Sequence, residues 1–395
     1  MLLKLSRTDD SILARWLWTI DYRLLVAFSG LIIFGVLLVA AASPPVAERI
    51  GLDTYHFLFR HVFLLVPTCA LMIGISFMDA RMVWRISAII LAGAILAMVA
   101  VIFTGSEIKG AQRWVRLPGF SLQPSEFVKP CFAVVVAWLI AYQKTHAGFP
   151  ANKICAGLFF VLVLLLMLQP DLGMTVVITS VFAAQIFLAG LAFRYLIMFG
   201  LGGIGLLVFA YMFFGHVKSR IDRFWNPDSG DTYQIEKSLE AFRTGGLWGT
   251  GPGQGDVKLQ LPDAHADFIF SVAGEELGLL FILVLIGLYV FILLRGFQVL
   301  MKSSCLFSVL AGGGLLVMFG LQTLIHMGSA LQLLPAKGMT LPFISYGGSS
   351  LLSTGIAAGM LLALLRKQSR PTFLPQSFLS RKTENTTGSK LAHEP

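Results

Sequence analysis

Long apolar stretches recur along the whole chain, separated by short polar connections. A bilayer core requires about 20 mostly apolar residues per helix, and ten stretches come close to that length. In chain order they cover residues 22–42, 57–78, 82–104, 126–142, 153–169, 173–190, 193–214, 267–294, 304–326 and 345–366. The pattern predicts an all-α polytopic membrane protein with about ten transmembrane helices.

The fifth and sixth stretches are separated only by Gln169-Pro-Asp-Leu-Gly173. Pro170 ends a helix because it lacks an N–H, and Asp171 can cap the next one. We therefore expect two helices here rather than one long one.

Basic residues indicate which way the chain crosses the membrane. The N-terminal segment, residues 1–21, carries Lys4, Arg7 and Arg15, with Arg23 just after it, and the short connections on the same side of the predicted bundle also carry basic residues. The positive-inside rule therefore predicts a cytoplasmic N-terminus, and ten crossings in a membrane domain of residues 22–366 return the C-terminus to the cytoplasm. The tail, residues 367–395, is rich in Ser, Thr, Pro and charge and is expected to be disordered.

Composition excludes several classes of protein. Hydrophobic residues make up 56% of the chain and charged residues 13%, and the mean hydropathy is +0.79. An ordinary soluble enzyme carries about 25% charged residues. The net charge of +9 is not gathered into one stripe, so membrane lipids and not nucleic acid are the expected partners. The four cysteines contain no CxxC pair, which argues against a disulfide framework or a zinc site.

Polar residues gather in three outer connections, at about 105–125, 215–266 and 327–344. Loops of this length are usually functional or disordered, and these contain many Trp, Phe and Gly residues, which argues against disorder. We therefore expect any chemistry to lie on the outer face.

The first connection carries Lys109 and Arg113, and it leads to Glu126 and Lys129 at the start of the fourth helix. Glu126 and Lys129 are three residues apart, so they share a helix face and can pair. The pair could be a salt bridge that lets two charges lie at the membrane boundary. It could also be part of an anion-binding wall, since ionisable residues in membrane spans often mark sites.

The second connection contains the run Gly249 to Gly255. No Gly-Lys-Ser/Thr follows it and no strand precedes it, so we expect no nucleotide. The glycines are expected to let the backbone turn tightly on the membrane surface.

Asp267 lies two residues after His265, where the second connection enters the eighth apolar stretch. A carboxylate between a wet loop and an apolar helix is suited to proton transfer, but it could also be an N-cap. Deeper in this stretch, Glu275 and Glu276 point about 100° apart, so at least one must meet a cation, a backbone donor or water.

The third connection carries Lys337 and leads to Ser345-Tyr-Gly-Gly-Ser-Ser350. Small residues allow helices to pack closely. The hydroxyls of Ser345 and Ser349 could also bind phosphate or sugar oxygens.

Taken together, these motifs resemble the SEDS family of bacterial cell-wall polymerases across about residues 20–368. The motifs that carry the resemblance are Lys109 to Trp114, Gln123 to Lys129, Gln169 to Gly173, Phe224 to Pro227, His265 to Phe270 with Gly274 to Gly278, and Pro335 to Ser350. The resemblance implies a glycosyltransferase that polymerises lipid II at the outer face of the inner membrane. It also implies a class B penicillin-binding protein as transpeptidase partner, together with other division-site membrane proteins.

The resemblance further implies roles for individual residues. Asp267 matches the family's essential aspartate and would be the base that takes the proton from the acceptor's sugar 4-hydroxyl. Glu126, Lys129 and Asp171 match other functionally important charges. Arg113, Lys129 and Lys337 would hold the departing diphosphate, and a divalent cation, Mg²⁺ or Mn²⁺, could assist them. Lys109, His265, Ser345 and Ser349 are further residues expected at the substrate. Ala266 departs from the pattern, because the family more often has Thr there.

Three alternatives remain open from the sequence. Intramembrane Glu275, Glu276 and Asp171 could belong to a lipid II flippase or a proton-coupled transporter, although inverted repeats are not evident. Within the family, the motifs favour the division branch, with the elongation branch as the alternative. A non-catalytic scaffold would leave the outer charges unexplained.

Overall fold

The protein is described by a computed structural model covering residues 11–104, 106–108, 111–117, 120–146, 148–190, 193–213, 215, 218, 222, 233–334 and 338–366. Its helices are α1 Ile12–Thr19, α2 Tyr22–Arg49, α3 His56–Ser76, α4 Ala80–Thr104, α5 Pro124–Thr145, α6 Ala151–Leu168, α7 Leu172–Leu188, α8 Phe193–Phe213, α9 Tyr233–Gly245, α10 Ile269–Leu300, α11 Leu306–Ala330 and α12 Gly348–Leu365. The predicted disordered tail lies outside the described residues.

Each of the ten apolar stretches overlaps with one of these helices. Within the described ranges, eight helices are long and apolar enough to cross a membrane, and α7 is a shorter apolar helix. The all-α polytopic class is confirmed, while ten crossings remain a prediction. Helices α5, α11 and α12 are largely buried by the others and form the centre of the bundle.

The junction between α6 and α7 is as predicted. Asp171 is the N-cap of α7, and its carboxylate accepts a hydrogen bond from the Met174 N–H at 3.2 Å. The two apolar stretches are therefore separate helices.

A small antiparallel sheet fills the first outer connection, which the sequence did not predict. Its strands are β1 Ser106–Ile108, β2 Ala111–Leu117 and β3 Phe120–Leu122, in the order β1-β2-β3. The Ser349 hydroxyl, on α12, donates to the Ser121 carbonyl at 3.2 Å. This bond fixes β3 to the outer end of the helical core.

Helix α10 differs from the predicted span 267–294. It continues to Leu300, and its backbone is interrupted at Gly278, where φ is 74°. Residues 269–276 are buried, whereas Leu279, Leu280 and Leu283 are 46%, 43% and 54% exposed. The part of α10 that faces lipid therefore starts after Gly278. Glu275 and Glu276 precede this part and are covered by other segments of the protein.

The glycine run turns against α10, which corrects the expected turn on the membrane surface. A Cβ on Gly249 would lie 2.1 Å from the Glu276 carbonyl oxygen, and one on Gly278 would lie 2.4 Å from the Gly249 nitrogen. The N–H groups of Thr250 and Gly251 donate to the carbonyls of Glu275 and Glu276 at 2.9 and 3.0 Å. Only residues without side chains allow two backbones to approach this closely.

Candidate active site

Residues 338–346, called here the 338–346 segment, pack against the loop that precedes α10. The Ser345 hydroxyl donates to the Ala266 carbonyl at 2.8 Å, and the Tyr346 N–H donates to the His265 carbonyl at 3.0 Å. Two distant parts of the sequence are thereby held together beside Asp267.

Asp267 lies next to Gly338 in this arrangement. A Cβ built on Gly338, where φ is +59°, would lie 3.4 Å from Oδ2 of Asp267. The Asp267 side chain is partly exposed. Phe268, and not Asp267, occupies the N-cap position of α10. The structure therefore does not support the N-cap interpretation and leaves the carboxylate at the edge of the outer loop.

Arg113 and Asp171 form a second charged group. Nη1 of Arg113 lies 3.6 Å from Oδ2 of Asp171. The guanidinium also donates to the Gln169 carbonyl, through Nε at 2.7 Å, and to the Pro170 carbonyl. Arg113 remains 22% exposed, so it keeps access to solvent while it fixes the turn before α7.

The 338–346 segment brings these two groups to one place. A Cβ on Gly173 would lie 3.3 Å from Sδ of Met339, and Gly173 follows Asp171 by two residues. The stretch that contacts Asp267 through Gly338 therefore also contacts the start of α7.

The predicted pair of Glu126 and Lys129 is confirmed, with Nζ 2.8 Å from Oε2. The two side chains are only 9% and 2% exposed. Lys129 also donates to Oε1 of Gln322 at 2.9 Å. The expectation that Lys129 clamps a diphosphate directly conflicts with this burial, because the ammonium is enclosed between protein groups.

Glu275 and Glu276 each meet donors from the outer loop. The carboxylate of Glu275 accepts from the N–H groups of Val257 and Lys258 at 2.7 and 2.9 Å. Glu276 pairs with the Lys258 ammonium and accepts from the Gly253 N–H at 2.9 Å. The prediction that at least one needed a cation or backbone donor is confirmed.

His265 is buried, and its ring lies over Phe57 with the centroids 4.0 Å apart. Burial lowers the pKa of His265 to about 4, with a smaller opposite effect from Asp263. The imidazole is therefore neutral at pH 7. The expected contact with substrate stays a prediction, but a cationic role is not supported.

The two serines expected at the substrate have structural partners. The Ser345 hydroxyl accepts from the Leu341 N–H at 2.8 Å, in addition to its bond to Ala266. The Ser349 hydroxyl accepts from the Gln123 N–H at 2.8 Å. Both side chains are buried, which favours holding segments together over touching substrate. Lys109 and Lys337 lie outside the described residues.

Sequence reasoning missed four participants, namely Lys258, Gln322, His326 and Thr340. Gln322 and His326 did give a signal, because they are polar residues in the apolar stretch 304–326. Lys258 gave none, since nothing in its surroundings distinguishes it from a solvated loop lysine.

Within the described ranges, no group of three or more His, Cys, Asp or Glu side chains converges as metal ligands. The residues present therefore do not form a protein-built metal site there, and the divalent cation stays a prediction.

Comparisons with known proteins identify the family of this chain. The family model for FtsW/RodA/SpoVE, described as cell cycle protein, matches residues 22–370. The chain belongs to the FtsW/RodA/SpoVE family.

Curated relatives in this family carry the name probable peptidoglycan glycosyltransferase FtsW. The protein of that name from Caulobacter vibrioides is 46% identical over 366 residues, which cover 92% of this chain and 93% of the relative. The one from Escherichia coli O6:H1 is 35% identical over 359 residues, covering 87% and 85%.

Solved structures of similar chains have the same fold. One comes from work described as structural coordination of polymerization and crosslinking by a peptidoglycan synthase complex, with a TM-score of 0.72 and 27% identity over 88% of this chain and 97% of that chain. The rod shape determining protein RodA of Thermus thermophilus gives a TM-score of 0.67 and 26% identity, covering 89% and 98%.

Proposed function

We propose that this chain is a peptidoglycan glycosyltransferase that polymerises lipid II, with Asp267 as its general base. The name shared by the curated FtsW relatives supports the activity. The observation that carries the residue assignment is the position of Asp267, a partly exposed carboxylate held beside the 338–346 segment at the outer end of the bundle.

The reaction uses Asp267 and Arg113 in different roles. Asp267 takes the proton from the 4-hydroxyl of the acceptor sugar as that oxygen attacks C1 of the lipid-linked donor. The new glycosidic bond forms while the bond from C1 to the diphosphate oxygen breaks, and undecaprenyl diphosphate leaves. The exposed part of the Arg113 guanidinium stabilises the charge that develops on the diphosphate.

The transporter alternative loses its main support. Glu275 and Glu276 were candidates for ion-coupling carboxylates in the membrane, but their oxygens accept from Lys258 and from loop N–H groups. Carboxylates bound in this way act as anchors for the outer loop.

A class B penicillin-binding protein is the proposed partner, at the division septum of the inner membrane, with both termini in the cytoplasm. The similarity to a chain of a peptidoglycan synthase complex supports the partner. The division assignment rests on the relatives named FtsW, and the elongation branch is the alternative.

The decisive experiment gives purified protein lipid II and measures glycan products on a gel, with and without the partner transpeptidase. Asp267→Asn keeps the size of the side chain but removes the base, so the rate should fall by roughly 10²–10⁴-fold. Asp53→Asn, at an exposed aspartate in another connection, is the matched control and should keep the parental rate. Near-parental polymerisation by Asp267→Asn would contradict the assignment.

Cysteine labelling tests the membrane orientation independently of activity. In a variant without native cysteines, Ser229→Cys should react with an impermeant reagent from outside, and Ser380→Cys should react only after permeabilisation. Labelling of Ser229→Cys from the cytoplasm alone would exclude the proposed topology.

A further inference from the structure

The Gln322 amide connects the buried ion pair to the 338–346 segment. Lys129 can only donate, so Oε1 of Gln322 faces its ammonium, at 2.9 Å. This orientation directs Nε2 at the Thr340 carbonyl, at 3.0 Å, and at the Thr340 hydroxyl, at 3.4 Å. Gln322 is 3% exposed, so water does not compete for these bonds.

His326 holds the preceding carbonyl of the same segment. Its Nδ1 lies 2.6 Å from the Met339 carbonyl oxygen. A carbonyl only accepts, so Nδ1 carries the proton. Gln322 and His326 are four residues apart on α11 and therefore share a helix face. That face binds two consecutive carbonyls of the 338–346 segment.

These carbonyls come directly after Gly338, the residue that packs against Asp267. A buried carbonyl that loses its donor is strongly destabilised unless the backbone moves to find another. Gln322 and His326 on α11, which are themselves buried, therefore set the position of Gly338. Through Gly338 they also fix one side of the surroundings of the Asp267 carboxylate.

We propose that Gln322 and His326 are positioning residues, which hold the 338–346 segment against Asp267 from the rigid helix α11. The pair of Glu126 and Lys129 acts in this arrangement by orienting the Gln322 amide. The expected fall in kcat rests on the proposed function. The effect on the backbone of the 338–346 segment can be measured without activity.

The chain offers closely matched variants. Gln322→Met keeps the volume and removes the donors. Gln185→Met is the control, because Gln185 is equally buried and donates to the carbonyls of Ala133 and Leu310, at 2.6 and 3.1 Å. Leu310 lies about 18 Å from Gln322 along α11, at 1.5 Å per residue. At the second position, His326→Leu removes the donor, and His326→Asn returns an N–H close to the position of Nδ1.

Kinetics with lipid II separate positioning from a merely structural role. For Gln322→Met and His326→Leu, kcat should fall about tenfold to a hundredfold, the range that a small displacement of a reacting group produces. KM should stay unchanged, because neither residue touches substrate. His326→Asn should recover most of kcat. Gln185→Met should lower the thermal unfolding temperature without a selective loss of kcat.

Hydrogen–deuterium exchange of the full-length protein in nanodiscs provides the readout that does not need activity. Amides of residues 338–346 should exchange faster in Gln322→Met and His326→Leu, and at the parental rate in Gln185→Met and His326→Asn. Parental exchange in the first two variants, or a kinetic loss confined to KM, would overturn the inference. If the parent protein makes no glycan but the two variants still show faster exchange, the proposed function is rejected. The positioning of the 338–346 segment by Gln322 and His326 then still stands.

Discussion

Lys258 and Glu276 form an ion pair in the interior of the outer loop, with side chains only 5% and 1% exposed. The Lys258 ammonium also donates to the Ala41 carbonyl at 3.2 Å. This pair joins the loop after α9 to α10, just before the interruption at Gly278, and it connects both to the outer end of α2.

Breaking this pair on one side should be more damaging than removing both charges. Lys258→Met leaves Glu276 buried without its cation, which costs about 3–5 kcal/mol for a pair of this kind. The double variant with Glu276→Gln should recover part of that loss. Thermal unfolding in detergent measures the effect, and equal losses in the single and double variants would exclude the coupling.

The pair of Glu126 and Lys129 should behave non-additively in a double-mutant cycle. Either single change, Glu126→Gln or Lys129→Met, leaves a charge in a buried site, so each should cost more than the combined change. Unfolding temperature and polymerisation rate are both suitable measurements. Strictly additive losses would show that the two side chains act independently.

Gly35 on α2 should not tolerate alanine. A Cβ there would lie 2.3 Å from the Phe343 carbonyl oxygen in the 338–346 segment, so the backbone must shift at a cost of about 1–3 kcal/mol. Gly93→Ala is the matched control, because nothing lies within 4 Å of a Cβ at that helical position. Unfolding midpoints compare the two variants, and equal midpoints would contradict the close packing at Gly35.

Acid should weaken the fold through His265. The pKa of His265 is about 4 in the folded protein, below the ordinary value of 6.5. The unfolded chain therefore binds the proton first, and stability is lost as the pH falls from about 6.5 to about 4. His265→Phe keeps a ring against Phe57 and should reduce the slope of stability against pH by up to about 1.4 kcal/mol per unit in this window. An unchanged slope of the unfolding temperature against pH would show that His265 titrates normally.

Local relationships were predictable from the sequence. Helical periodicity alone brought Glu126 and Lys129 together, and the order Pro170, Asp171 was sufficient to predict a helix end followed by a cap. Both depend on residues less than one turn apart, where backbone geometry fixes the contact.

Relationships between distant segments were not predictable in the same way. At least one of Glu275 and Glu276 needed a donor, but the choice of Lys258 for Glu276 depends on how the glycine run folds against α10. The three short strands between Ser106 and Leu122 carry no clear alternation of apolar and polar residues, so the sequence pattern did not indicate their pairing. Gln322 stood out as a polar residue in an apolar helix, but only the structure shows which carbonyl it binds.

The interruption of α10 at Gly278 also has a mechanical consequence. The helical part after the interruption, from Leu279 to Leu300, is about 33 Å long at 1.5 Å per residue, close to the roughly 30 Å of a bilayer's hydrocarbon core, and its one charged residue, Arg295, lies in its last two turns. The hydrophobic match of this span therefore contributes to the height of the outer part of α10, and of Asp267 before it, above the lipid. In proteoliposomes of graded acyl-chain length, a change in bilayer thickness should therefore change the distance between Asp267 and a substrate anchored in the same membrane.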